Sequence, residues 1–266
     1  MNLNYNRNCN ILCWNIRGLN SAQKWLALSE KISESSCSII YLQETKRDFF
    51  YHSYIRKFCP RRFDKFIFHP SLGNSGGLIV IWNNNTVSGT LIENLPFAIS
   101  IEFTSNSSLH EVWTLSNIYG PCSGEQRDFV SWLNNLEINI DQNWILMGDF
   151  NFIRSVQNRN LPGEDMNDIL IFNEIISNIG LIEVPLKGLS YTWSNMQEQP
   201  LLQQLDWVFT SLAWTLKFPH TSVAKYISDH APCMISIETS VPKSKLFRFE
   251  NFWTDMPGFI DVVSQF

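Results

Sequence analysis

The chain has no cysteines at metal-binding spacing and no CxxC pair. It lacks a charged opening followed by an apolar segment, and it has no apolar run long enough to cross a bilayer. These absences argue against a cysteine-held zinc site, a disulfide-stapled scaffold and a membrane-spanning protein, so no membrane partner is expected. The six cysteines (Cys9, Cys13, Cys37, Cys59, Cys122 and Cys233) are scattered through expected strands and helices, as reduced and mostly buried thiols in a reducing compartment would be. Internal repeats and low-complexity segments are also missing. Histidine is scarce, with five in 266 residues, and a formal charge of −5 weighs against a passive nucleic-acid coat. The charge is uneven, because Lys46, Arg47, Arg56, Lys57, Arg61, Arg62 and Lys65 crowd into one short stretch. That stretch is either an ordinary solvated face or a local basic surface.

What is present is a chain of 266 residues, 44% hydrophobic, enough to bury one large core. Short apolar runs closed by polar residues, at Ile11 to Trp14, Ser38 to Gln43 and Asn143 to Gly148, predict strands buried within a sheet. Further strands are expected at Gly77 to Trp82, Thr86 to Ile92, Ala98 to Thr104, Val112 to Tyr119, Leu189 to Ser194, Gln203 to Phe209 and Cys233 to Ile237. Helical periodicity appears in Trp25, Leu28 and Ile32; in Phe129 through Ile140; and in Ile169 through Ile179. For the last of these, Asp165 fits the N-cap, Asp168 adds an acid in the first turn, and Gly180 suits a left-handed C-terminal cap. Many strands with a few helices between them predict an α/β protein with two mainly antiparallel sheets packed face to face and helices outside. One domain is expected over residues 1–239. Residues 240–266 differ in pattern and end inside an amphipathic run at Phe266, which reads as a tail continuing into something longer, with a docked C-terminal helix as the alternative.

Candidate chemistry sits where strands give way to loops, the usual location of functional groups on a rigid scaffold. Glu44 follows the apolar run of residues 39–42, where one carboxylate with waters and phosphate oxygens suits magnesium; an exposed strand-end glutamate is the alternative. Asp149 and Asn151 flank Phe150, and strand alternation lets both face one side. Asp149 then suits activation of water and Asn151 suits donation to a phosphate oxygen, with a plain Asp–Asn turn as the alternative. His230 follows Asp229 directly, and Asp206, on another strand, is placed to hold its ring and favour the imidazolium. Asn15 and Tyr119 are weaker by themselves; a tyrosine before Gly120 and Pro121 either closes a turn or presents a phenol to phosphate.

Taken in order, Trp14 to Leu19, Gln43 to Thr45, Gly76 to Leu78, Asn117 to Pro121, Gly148 to Asn151, Tyr191 to Trp193, Leu205 with Asp206, and Ser228 to His230 resemble the endonuclease/exonuclease/phosphatase superfamily. Within it they are most similar to the apurinic-like endonuclease domain of a plant non-LTR retrotransposon, and Phe247 to Trp253 resembles the start of a linker toward a reverse transcriptase.

This resemblance implies a four-layer α/β sandwich and a magnesium-dependent activity, with Mn2+ as a substitute. It implies nicking of duplex DNA to leave a 3′-hydroxyl for reverse transcription, by a monomeric nuclear protein with a reverse transcriptase in cis. Position by position, it assigns Glu44 and Asn15 to the metal, with Asp229 supporting the metal or the histidine, and Asp149 to water activation. Asn151 and Tyr119 fall to the phosphate, His230 with Asp206 to the transition state, and Thr192 and Ser228 to the phosphate backbone. The chain departs from repair endonucleases at Arg17, where they carry an aspartate, and at Gln204 and Trp207, where many relatives carry basic residues. Its hairpin tip between Ser194 and Gln203 is uncharged apart from Glu198. Two other readings stand beside this one: a phosphatase of the same superfamily, and a catalytically inert or domesticated DNA-binding remnant.

Overall fold

The computed structural model describes residues 7–73, 75–106, 110–121, 126–163, 165–188, 190–225 and 232–241. In chain order the elements are β1 (Arg7–Asn15), α1 (Ala22–Ser35), β2 (Ile39–Gln43), α2 (His52–Ile55), β3 (Lys65–His69), β4 (Leu78–Trp82), β5 (Val87–Leu95) and β6 (Ala98–Ser105). There follow β7 (Val112–Tyr119), α3 (Gln126–Asn134), β8 (Trp144–Asp149), α4 (Met166–Ile179), β9 (Ile182–Glu183), β10 (Leu186–Lys187), β11 (Trp193–Ser194) and β12 (Leu202–Gln203). The last are β13 (Asp206–Thr210), α5 (Leu212–Lys217), β14 (Ser222–Lys225) and β15 (Cys233–Val241).

β2, β4 and β8 are buried along their whole length, which is why their sequences are continuous apolar runs rather than alternating ones. They sit inside two large sheets, one ordered β10-β14-β15-β1-β2-β4-β3 and the other β5-β6-β7-β8-β13-β9. Most neighbours are antiparallel; β1 with β2, β7 with β8, and β10 with β14 are parallel. The sheets face each other across a core built from Ile11, Tyr41 and Val80 on one side and Ile101, Leu115 and Met147 on the other. Leu28 and Ile32 of α1 cover the outer face of the first sheet, and Phe129, Leu133, Phe172 and Ile176 of α3 and α4 cover that of the second. The result is the expected α/β sandwich. Among the described residues no helix is long and apolar enough to cross a membrane.

Both helix signals of α4 hold in the structure. Asp165 accepts from the Asn167 N–H at 2.8 Å and Gly180 closes the helix at φ 72°. The helix expected from Phe129 to Ile140 stops instead at Asn134, and Ile140 is 81% exposed. There the Asn135 amide donates to the Ser131 carbonyl, the local competition that makes asparagine a poor helix continuer. Of the strand expected over Leu189 to Ser194, Leu189 lies outside the described residues and β11 is the strand found among the rest; the one over Gln203 to Phe209 splits between β12 and β13. The expected domain end at residue 239 falls near the end of β15, and residues 242–266 lie outside the described residues.

The approach of β7 to β8 leaves no room for side chains at two glycines. A Cβ on Gly148 (φ 139°) would lie 2.1 Å from the Ile118 carbonyl oxygen, and one on Gly120 would lie 2.1 Å from that of Phe150. Gly148→Ala therefore has to push two strands apart at the mouth of the site, beyond the penalty for its dihedral. It should lower unfolding free energy by about 3 kcal/mol in urea titration. Gly180→Ala, which meets nothing within 4 Å, should cost only about 1 kcal/mol for its left-handed conformation.

Candidate active site

Side chains from both sheets converge at one edge of the sandwich, where β1, β2, β7 and β8 end and β13 begins. Asn15, the last residue of β1, donates its Nδ2 to Oδ2 of Asp149, the last residue of β8, at 2.7 Å. This bond crosses from one sheet to the other. Beneath it Gln43 at the end of β2 donates to Asn117 Oδ1 and Cys13 Sγ, while Asn117 donates to the Leu42 and Ile79 carbonyls. The polar floor of the site is thus tied across the inter-sheet core.

Asp149 is 3% exposed. Its other carboxylate oxygen accepts from the Asn151 backbone N–H at 3.0 Å. In the β13 ladder it lies opposite Asp206, and in the β7 ladder opposite Tyr119. Burial first, then the charge of Asp206, push its carboxyl up to about 7; the bonds from Asn15 and Asn151 pull the other way, and Glu44 adds a smaller upward push. Asp206 is also raised, mainly by burial, and is restrained by the Thr192 hydroxyl and by the cations Lys225 and Arg17. The structure therefore brings Asn15, Glu44, Tyr119, Asp149, Asn151, Thr192 and Asp206 to one place.

The means of placement differs from the expected one at Asn151. Strand geometry ends at Asp149, and Asn151 reaches its position through a left-handed turn at φ 56°, with its side-chain amide donating to the Gly120 carbonyl. Phe150 packs fully buried against Phe129, Phe172 and Phe209 in the outer core. Thr192 Oγ1 accepts from the Leu205 and Asp206 N–H groups at 2.9 and 3.0 Å, which holds the β11–β12 hairpin against β13. Glu44 sits at φ 52° and pairs with Lys46 at 3.0 Å. Ser228, Asp229 and His230 lie outside the described residues.

Two cations that sequence reasoning left without a role stand beside Asp206. Arg17 lies over the Trp193 ring at 5.4 Å and reaches the Ser194 carbonyl. Lys225, at the end of β14, is 9% exposed and donates to the Thr192 carbonyl. No pattern in the sequence marks Lys225 as buried, because β14 has four residues and opens on a serine. Next to Asn151 a cleft of about 320 Å3 is lined by Phe152, Arg159, Asp165, Asp168 and Trp193, among others.

Among the described residues no three histidine, cysteine or acidic side chains gather closely enough to hold a metal unaided. The donor chemistry still fits a hard cation that keeps much of its water. Glu44 and Asn15 offer oxygen ligands beside Asp149 and Asp206, two carboxyls raised by burial, the first of them also by the charge of the second.

Over residues 12–230 the chain matches the Endonuclease/Exonuclease/phosphatase family, and it belongs to that family. A curated relative, the Transposon TX1 uncharacterized 149 kDa protein of Xenopus laevis, is 25% identical over 158 residues, covering 55% of this chain and 12% of that protein. The chain thus corresponds to a small part of that relative's length. The endonuclease domain of TRAS1, a telomere-specific non-LTR retrotransposon, superposes with a TM-score of 0.64 at 14% identity over 87% of this chain and 99% of that one. The AP endonuclease LMAP of Leishmania major superposes at 0.69, with 14% identity and 88% of each chain covered. The sandwich is the one these endonucleases share, and the retrotransposon similarity agrees with the motifs in the sequence.

The Asp149 environment sets a pH dependence in metal-free protein. Its carboxyl ordinarily ionises near 3.8, whereas the folded protein holds the proton to about 7. Between those values the native state binds more protons than the unfolded chain, so stability must fall as pH rises from 4 to 7 and level off above. With a chelator present, wild-type protein should lose about 3 kcal/mol across that window, and Asp149→Asn should lose much less. Lys225→Met should carry the decline to higher pH, since Asp206 then keeps its proton longer; calorimetry at stepped pH reads both.

Proposed function

We propose that the protein is a magnesium-dependent endonuclease that nicks duplex DNA and leaves a 3′-hydroxyl from which a reverse transcriptase extends. The observation that carries this is Asp149: a carboxylate buried at 3%, aimed by an amide from the opposite sheet, beside a second acid and a further acid on a loop. A base at a phosphodiester must be oriented and must have a proton affinity near neutrality, and this environment supplies both. Family membership over residues 12–230 and a fold shared with the TRAS1 endonuclease domain support the same reading.

In the proposed reaction Asp149 orients a water and takes its proton as the oxygen attacks phosphorus in line; the P–O3′ bond opposite breaks, and the leaving 3′-oxygen takes a proton from solvent to become the 3′-hydroxyl. The Asn151 amide has one N–H committed to the Gly120 carbonyl, which leaves the other for a phosphate oxygen. Tyr119 supplies a phenol at the end of β7, and His230, oriented by Asp206, faces the charge that develops on the phosphate. Glu44 and Asn15 with Asp229 would hold magnesium, or Mn2+ in its place, and the bound cation would supply positive charge to the phosphate. A nuclear location, a monomeric state and a reverse transcriptase in cis belong to this reading.

Purified protein with Mg2+ should convert supercoiled plasmid to relaxed circles, and EDTA should abolish the conversion. Asp149→Ala and His230→Ala should each slow nicking by a factor of about 100 or more. An intact plasmid at high concentrations of folded enzyme would sink the proposal. Release of phosphate from small phosphate esters faster than DNA nicking would favour a phosphatase instead.

A further inference from the structure

Residues 46–65 hold seven cations against two carboxylates, Asp48 and Asp64, in a chain whose net charge is −5. This segment begins two residues after Glu44. Within it two rings face solvent: Phe49 is 57% exposed and Tyr51 48% exposed, with centroids 6.2 Å apart. They are held rather than loose. Phe49 sets its edge on Phe68 at 5.7 Å, and Tyr51 meets the buried Tyr54 at 5.9 Å.

The backbone between Glu44 and these rings is also fastened. Lys46 donates its N–H to the Gly76 carbonyl, and the Arg47 carbonyl accepts from Ser71. The Arg47 guanidinium lies 3.8 Å over the Tyr54 ring and donates to Asn20 and to the Phe49 carbonyl. Leu72, next to Ser71, adds a third apolar side chain at 75% exposure. Exposed apolar groups rimmed by charge mark a contact surface, and rings interleaved with cations are the combination that stacks on bases while pairing with phosphates.

Phe49 follows Glu44 by five residues, so it stands at most about 18 Å from it along the chain. That is roughly five nucleotide steps at 3.4 Å per step. Stacking on a base face requires the base to be unpaired or pulled out of its neighbours' stack. Resting on the endonuclease reading above, we propose that Phe49 and Tyr51 form a stacking platform for unpaired bases flanking the scissile phosphate. The substrate class is then DNA with a locally opened helix, in preference to a fully paired duplex.

The test uses the full chain with EDTA present and two labelled duplexes of one sequence, one fully paired and one carrying a short unpaired bubble. Wild type should bind the bubble about tenfold more tightly, the scale of one or two stacked bases. Phe49→Ala/Tyr51→Ala should lose that preference while binding the paired duplex unchanged, and Phe49→Trp should keep it. Independently of any variant's folding, 2-aminopurine placed in the bubble should be quenched when wild type binds. Equal affinity of wild type for both duplexes, an undiminished bubble preference in the double variant, or unquenched 2-aminopurine would each overturn the platform. Plasmid nicking with Mg2+ separates the two ideas. A protein that nicks but shows no bubble preference loses only the platform, and one that prefers the bubble but never nicks loses the endonuclease reading and, with it, the platform's place beside a scissile phosphate, keeping only the base-stacking surface. Failure to bind either duplex removes both.

Discussion

A single hydrogen bond between the two sheets, from the Asn15 amide to the Asp149 carboxylate, links the architecture to the chemistry. Two sheets packed through apolar faces have no intrinsic reason to fix their edges to a fraction of an ångström, because hydrophobic contact is non-directional. A buried carboxylate does impose such precision, since it is stable only where donors meet it at bonding distance. Asn15 comes from the end of β1 and Asp149 from the end of β8, so satisfying the acid sets how those strand ends sit across the core. The Gln43 to Asn117 bond, also between the sheets and fully buried, repeats the constraint one layer deeper.

The same economy governs the charges. Asp149 and Asp206 face each other across a ladder; burial raises both carboxyls and the charge of Asp206 raises Asp149 further, which is unfavourable unless something offsets it. The chain supplies part of the compensation through Arg17 and Lys225, which lie on opposite flanks in sequence and both act on Asp206. Among the described residues Asp149 receives neutral donors, from Asn15 and Asn151. The fixed cations therefore settle Asp206 while leaving Asp149 responsive to protons and to whatever charge enters from solvent, a division suited to one acid that orients and another that reacts.

Much of this arrangement was legible in the sequence because strand ends are. A short apolar run such as Trp144 to Met147, closed by polar residues, fits a buried strand, and the polar residue that stops it lies at an edge. Asp165 and Gly180 were legible as caps of α4 because each does a local job that few other residues do. What escaped was set by distant packing. β3 is a half-exposed edge strand, and β9, β10, β11 and β12 have two residues each, too few for any period to register. Lys225 looks like any surface lysine until β15 and the Thr192 carbonyl enclose it. Asn151 reads as the next position of a strand, but its left-handed turn exists because Gly120 presents a carbonyl to its amide.

Backbone strain shows where this precision is concentrated. Arg17, Glu44, Lys46 and Asn151 all adopt positive φ without being glycine, and all four stand on the loops that close the site. A side chain in the left-handed region costs about 1 kcal/mol, so such residues persist only where surrounding bonds over-determine them. Here those bonds are visible: Gly18 N–H to the Glu44 carbonyl at 2.7 Å, Lys46 N–H to the Gly76 carbonyl at 3.0 Å, and Asn151 N–H to Asp149 at 3.0 Å. Each strained residue is flanked by a backbone group bonded to another site loop, so relaxing one would unseat its neighbour. The loops behave as a single interlocked rim, and the placement of Glu44 and Asn151 follows from the rim as a whole rather than from the strand that precedes either one.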